Sequence, residues 1–301
     1  MGAVWELDFY SRPVFDENNK KRWEVLICEG LQSVTDDPKK LFRYSKYVSN
    51  SEVNSETLQQ AIEEAIAQAN EAGKAAPTKV RYFRYQMQNM IKRACEEAGL
   101  LPYPSRRTLA LQQWLEDRQE HVYPNEAGYK ASVSASVARP LEVVNPLPDA
   151  LLGQKWALVS LPAQAFDEMG EWDVGFGEAF PLSTMHVEAQ AQIPGFIIYS
   201  DRATPLAACM SGLEIAAVRA GREESSNYAS KNSETARLLL DTGTTETWQL
   251  ADLVGAEMQA EGERFETAKK AANGIHFIAV QDSPESESFA GFWLMQNREF
   301  G

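Results

Sequence analysis

Disulfides, metals and membranes find little to work with in this 301-residue chain: it has three cysteines, three histidines and no apolar run of 18 residues. Without such a run nothing is expected to span a bilayer. Cys28, Cys95 and Cys209 are odd in number and far apart, which excludes a disulfide framework, and no C-x-x-C pair is present to start a zinc site. Their apolar surroundings predict buried small hydrophobes in a reducing, cytoplasmic compartment, and so no direct thiol switch. His121, His186 and His276 lack metal-ligand spacing, and His276 reads as a core or edge residue whose hydrogen bonds are met within the fold. Met1–Tyr10 has no basic n-region and carries Glu6 and Asp8, unlike a secretory signal. There is no G-x-S-x-G elbow. The glycine-spaced Gly170–Gly177 lacks a phosphate-binding lysine and would meet a phosphate with Glu171 and Asp173, so it reads as a turn. No catalytic residue, metal ligand or cofactor is expected.

Net basic charge is also missing. The chain carries −14 overall, which at first argues against nucleic acid. The distribution alters that inference. Residues 1–130 hold 18 Lys and Arg against 19 Asp and Glu, while residues 131–301 hold 11 against 24. The acidity belongs to the C-terminal half; the N-terminal half is nearly neutral, with local basic clusters.

What is present is a regular alternation of patterns. Residues Val4–Tyr10 and Arg22–Cys28 alternate apolar and polar side chains about a turn at Asp16–Asn19, which predicts a β-hairpin. A third strand is read at Leu41–Val48. A helix starts at Ser55 and ends at Gly73. Lys79–Tyr85 reads as a strand, Gln86–Ala98 as a helix closed by Gly99, Leu100–Pro104 as a strand and Thr108–Gln119 as a helix. This order matches a ribonuclease H-like α/β domain, in which strands one, four and five are parallel neighbours. The proline-bearing stretch 124–152 is read as a linker or long loop, and 153–301 as an acidic α+β domain, giving domains 1–123 and 153–301.

Two chemistries follow from that fold. A ribonuclease H-type nuclease gathers three or four carboxylates around two metal ions. Asp8 would be the first and Glu63 or Glu64 another, but the fourth strand offers Arg81 and Arg84 where an acid is needed. The alternative is that Glu6 and Asp8 form the polar outer face of the hairpin, paired with Arg22. The other chemistry is polyanion binding. Ligands of open α/β sheets bind beyond the carboxyl ends of the strands. There the sequence places Arg12, Arg84 and the pair Arg106–Arg107, with Arg81, Tyr85, Gln88 and Lys92 close by. Guanidiniums suit phosphates, glutamine suits base edges and tyrosine offers a stacking face. Solvated caps over a core containing Tyr82 and Phe83 are the competing account. In the acidic half, Trp172 and Trp248 are candidate exposed anchors for a protein partner.

The segments WELDFYSRP (Trp5–Pro13), KKRWEVLICE (Lys20–Glu29), VRYFRYQMQNMIKRACEE (Val80–Glu97) and PSRRTLALQQWLEDR (Pro104–Arg118) resemble the Tab/Atab translation-factor family of chloroplasts and cyanobacteria. GQKWALVSLP (Gly153–Pro162), SDRATPLAACMSGLE (Ser200–Glu214), AKKAANGIHFIAVQD (Ala268–Asp282) and GFWLM (Gly291–Met295) continue the likeness in order. The resemblance implies RNA binding at the 5′ region of photosystem messages and a role in their translation and in photosystem biogenesis. It implies a cyanobacterial-type cytoplasmic member, with thylakoid association open to it. It carries over no catalytic residue and no RNA contact.

Overall fold

The computed structural model describes residues 3–131, 143–222 and 236–298. They form two compact units: residues up to Leu31 and from Asp37 to 131 make the first, and Gln32–Asp36 with the described residues from Val143 onward make the second.

The first unit contains β1 (Ala3–Phe15), β2 (Lys21–Glu29), β3 (Arg43–Val48), α1 (Ser55–Glu71), β4 (Pro77–Tyr82), α2 (Gln88–Glu97), β5 (Leu101–Pro104) and α3 (Leu109–Asp117). The sheet order is β3-β2-β1-β4-β5. The first three strands are antiparallel, whereas β1, β4 and β5 are parallel neighbours, as the element order implied. The Asp16 carboxylate accepts the amides of Asn18 and Lys20 and so closes the hairpin, with Asn19 at φ 58°. Asn54, one residue ahead of the expected start, caps α1 by accepting the Thr57 amide at 2.8 Å. Gly73 and Gly99 end α1 and α2 at φ 73° and 74°.

One face of the sheet is apolar. Trp5, Leu7, Phe9, Val25 and Ile27 pack against Leu58, Ala61 and Ile62 of α1 and Ile91 and Ala94 of α2. Truncating a side chain such as Leu58 to Ala would cost about 2–5 kcal/mol.

The opposite face overturns an expectation. Glu6, Asp8, Glu24 and Arg81 lie on it and are buried, because α3 packs across β1 and β2. Arg22 takes no part there. Its guanidinium sits 3.9 Å from the Tyr47 ring centre and 3.8 Å from Glu126. β1 also runs past Tyr10 through Pro13, with a break in register between Ser11 and Phe15, and so carries Arg12 into the sheet. At the far edge, β5 reads Leu-Pro-Tyr-Pro, and the Ser105 amide just beyond it donates to Tyr82 O at 2.8 Å.

The second unit holds β6 (Val143–Pro146), β7 (Lys155–Pro162), β8 (Val174–Glu178), β9 (Gln192–Tyr199), α4 (Ala203–Ser211), β10 (Ile215–Arg222), β11 (Ala236–Thr242), β12 (Glu246–Leu253), α5 (Gly255–Ala271), β13 (Ile275–Gln281) and β14 (Phe289–Gln296). They build two sheets, β10-β11-β12-β6 and β7-β9-β13-β14-β8. Leu206 and Met210 of α4 and Phe265 of α5 join strand residues such as Val218, Leu238, Ile278 and Trp293 in one core.

Several local readings change here. The segment taken for a turn at Gly170–Gly177 contributes β8, parallel to β14, and Val143–Pro146 within the stretch 124–152 pairs with β12. Trp172 is half-buried against Phe166, Phe289 and Phe292, and Trp248 is half-buried with its indole N–H on Thr242. Neither is an exposed anchor. Cys209 is exposed, whereas Cys28 and Cys95 are buried. His276 is buried; its Nε2 accepts the Val218 amide at 2.8 Å and its Nδ1 lies 2.9 Å from Gly274 O, so both ring nitrogens are satisfied.

Candidate nucleic-acid interface

The site is built where β1, β4 and β5 end side by side. Tyr82 pairs with Pro104, and two residues further along each chain stand Arg84 and Arg106, in matching positions past adjacent parallel strands. Arg84 is held from two sides. Its Nε lies 2.6 Å from Asp8 Oδ1 and its guanidinium covers the Tyr10 ring at 3.9 Å. Arg12 binds the same carboxylate at 2.9 Å and reaches Glu24 at 3.0 Å. Glu24 also accepts from Arg118 and, at 2.6 Å, from the Tyr123 hydroxyl.

This network answers both chemistries raised by the sequence. Burial by itself would raise the Asp8 carboxyl, but the charges and hydrogen bonds of Arg84 and Arg12 outweigh it and hold the carboxyl below its ordinary value. Burial likewise disfavours charge on Arg12, yet Asp8 and Glu24 keep it firmly protonated. An Asp8 neutralised by two guanidiniums cannot ligate a metal without abandoning them. Glu64 is engaged elsewhere, with Lys46 at 2.7 Å and Tyr44 at 2.6 Å. Among the described residues no group of three or more His, Cys, Asp or Glu is placed to hold a metal ion. Among the described residues, Asp8 is thus not part of a group of carboxylates placed to hold a metal ion.

The predicted RNA-contacting residues divide into two layers. Arg12 and Arg81, 4% and 2% exposed, are buried. Arg84 is nearly covered. Gln88, Arg106 and Arg107 are half-buried, and Tyr85 and Lys92 are exposed. The turn carrying Arg106 and Arg107 is tightened by the Arg107 amide donating to Ser105 Oγ at 3.0 Å. α3 opens just after this turn, and its Leu111 amide is not open to a phosphate. Glu6 Oε2 already accepts the Leu111 amide at 2.7 Å.

Two residues of the outer layer escaped the sequence reading. Gln86 and Asn89 are exposed; Gln86 follows Tyr85 in the 3-10 turn Tyr85–Met87 ahead of α2, and Asn89 and Lys92 stand three residues apart on α2. The Asn89–Lys92 spacing is legible in the sequence, but the arginine signal favours the phase beginning at Arg84, and Gln86, in the turn ahead of α2, gives no periodic signal. Lys92 pairs with Glu96 across the surface at 3.9 Å, a contact of the kind that contributes little.

Fold and rim together define a two-unit α/β protein whose N-terminal unit presents cations, amides and one tyrosine around the ends of its parallel strands. The chain belongs to the Tab2/Atab2 family. The family model described as "RNA-binding protein Tab2/Atab2 N terminal" matches residues 4–118, and "RNA-binding protein Tab2/Atab2, C-terminal domain" matches residues 134–296. Among its relatives, "Protein TAB2 homolog, chloroplastic" of Zea mays is 37% identical over 298 residues, covering 97% of this chain and 70% of that protein. The protein of the same name from Arabidopsis thaliana is 34% identical over 297 residues, covering 97% of this chain and 74% of its own length.

Proposed function

We propose that this chain binds RNA through the rim of its N-terminal unit, and that it serves the translation of photosystem reaction-centre messages and so photosystem biogenesis. What supports the first part is that Arg84, Tyr85, Arg106 and Arg107 follow the ends of the paired strands β4 and β5 in a member of an RNA-binding family. Arg12 and Arg81 act from below by fixing the sheet, while Tyr85, Gln88, Lys92, Arg106 and Arg107 face the ligand. The role is binding rather than catalysis, and the N-terminal unit is read as ribonuclease H-like in its strand order alone. The photosystem part draws on the family resemblance. So does a cytoplasmic location, free or at the thylakoid, for which cell fractionation is the test; the two relatives named above are chloroplastic.

A gel-shift titration with the 5′ leader of a photosystem message tests the RNA-binding reading. Replacing Lys92, Arg106 and Arg107 by Glu should weaken binding and flatten its salt dependence by roughly one unit of slope for each phosphate no longer neutralised. Unchanged affinity and slope would place the site elsewhere. Arg84 is left intact in this test, since its removal would also disturb the buried network. The protein partner proposed for the acidic second unit no longer has two tryptophan anchors and rests on charge, so a full-chain pull-down should lose it at high salt.

A further inference from the structure

We infer that the rim takes single-stranded rather than duplex RNA, with an unpaired base stacked on the Tyr85 ring and its edge met by the side-chain amides of Gln86 and Asn89. This rests on the RNA-binding function proposed above and names the form of RNA that the site accepts.

The starting observation is an exposed ring. Among the described residues five large apolar side chains are exposed, namely Tyr85, Leu101, Val143, Leu152 and Val254, and Tyr85 is the only aromatic one. Its neighbours Tyr82 and Phe83 are buried, so the ring is not the visible edge of a core cluster. It stands directly after Arg84, which Asp8 holds at 2.6 Å and which lies 3.9 Å over Tyr10. The residue before the ring is thus ion-paired within the fold.

The neighbours of that ring are the second observation. Gln86 and Asn89 are exposed and uncharged. Side-chain amides add nothing to attraction for phosphate, but each offers a donor pair and an acceptor, which is the complement of a base edge. Lys92 on the outer side, and Arg106 and Arg107 past β5, supply the charge for a backbone passing alongside.

The geometry of RNA decides between the two forms. In an A-form duplex the bases are stacked on one another and the major groove is too deep and narrow for side chains, so a lone tyrosine would find a π face only at a helix end. An unpaired strand offers such a face at every nucleotide. A surface built for duplex alone would need cations spaced along the phosphates and would gain nothing from an exposed ring between two amides.

The test is fluorescence anisotropy on the full chain at one fixed salt concentration. The probes are a short, unstructured, fluorescein-labelled RNA and the same strand annealed to its complement. The single strand should bind about tenfold tighter or better. Tyr85→Ala should weaken single-strand binding by about tenfold while leaving duplex binding and the salt slope unchanged, because it removes a stack and no charge. Tyr85→Phe should remain within about twofold of the parent, since the ring is what stacks. Equal or tighter duplex binding, or a Tyr85→Ala variant that binds the single strand as well as the parent, would overturn the inference and leave RNA binding standing. Failure to bind either probe would overturn the proposed function itself.

Discussion

Arg84 and Asp8, 76 positions apart in the chain, meet through two hydrogen bonds of 2.6 and 3.2 Å inside the N-terminal unit. The contact joins the first strand of the sheet to the turn that follows its fourth. It also turns a carboxylate that could have been a metal ligand into the anchor of a guanidinium.

Asp8→Asn removes the charge shared by Arg84 and Arg12 and leaves two largely buried cations short of an anion. Breaking a buried pair in this way should destabilise the unit by about 3–5 kcal/mol. Urea denaturation followed by circular dichroism measures it. A variant as stable as the parent would mean that Glu24 alone suffices for both arginines.

The same carboxylate sets an acid limit. Its folded value lies below the ordinary one of about 3.9. The stability contributed by ionised Asp8 is therefore complete above that value and is lost as the pH falls through the lower folded value. The parent should lose stability steeply below about pH 4, and Asp8→Asn should show a shallower acid limb there. Parallel limbs for the two proteins, measured by denaturant midpoints at successive pH values, would contradict this.

The three thiols should differ in reactivity. Burial pushes Cys95 up to about 12, with Glu96 adding to it, and raises Cys28 well above the ordinary value, with Glu6 adding to that. Cys209 is exposed on α4. Titration of the native protein with a chromogenic disulfide at pH 8 should release about one equivalent, and Cys209→Ser should abolish it, with all remaining thiols appearing only on denaturation. Rapid release of more than one equivalent would show that a buried thiol is reachable.

Gly177 and Gly221 should respond in opposite ways to alanine. A Cβ on Gly177 would come within 2.0 Å of the Phe292 carbonyl oxygen across the β8–β14 pair, whereas one on Gly221 would meet nothing within 4 Å. Gly177→Ala should destabilise the second unit by about 1–3 kcal/mol through overpacking. Gly221→Ala should be neutral or stabilising by up to about 1 kcal/mol. Thermal melts of the two variants compare them directly.

Sequence patterns carried much of the first unit. Period-two alternation located β1 and β2, the apolar spacing from Leu58 to Ala69 located α1, and glycines marked both helix ends. Burial of Glu6, Asp8 and Glu24 was not legible. Alternating acids on a strand look like a solvated face, and besides the nearby Arg12 what satisfies them comes from Arg84, Leu111, Arg118 and Tyr123, which no local window contains. β8 was lost because its glycines, needed for close approach to β14, are also turn signals. Exposure of Cys209 was lost because the α4 segment ATPLAACMS is apolar nearly throughout and does not declare which side faces water. Among the candidate site residues, sequence could not separate the buried Arg12 and Arg81 from the exposed Tyr85 and Lys92, since that burial follows from packing by α3 and from the extension of β1.

The β5 edge has a consequence for assembly. Ser105 directs its amide inward to Tyr82, so along this short strand the odd-numbered residues point their amides toward β4 and the even-numbered ones toward solvent. Both even-numbered positions, 102 and 104, are proline. The outer border of the sheet therefore has no hydrogen to donate, and a foreign strand laid against it would find half of its ladder absent. Edge-to-edge pairing of two copies along that side is thereby disfavoured.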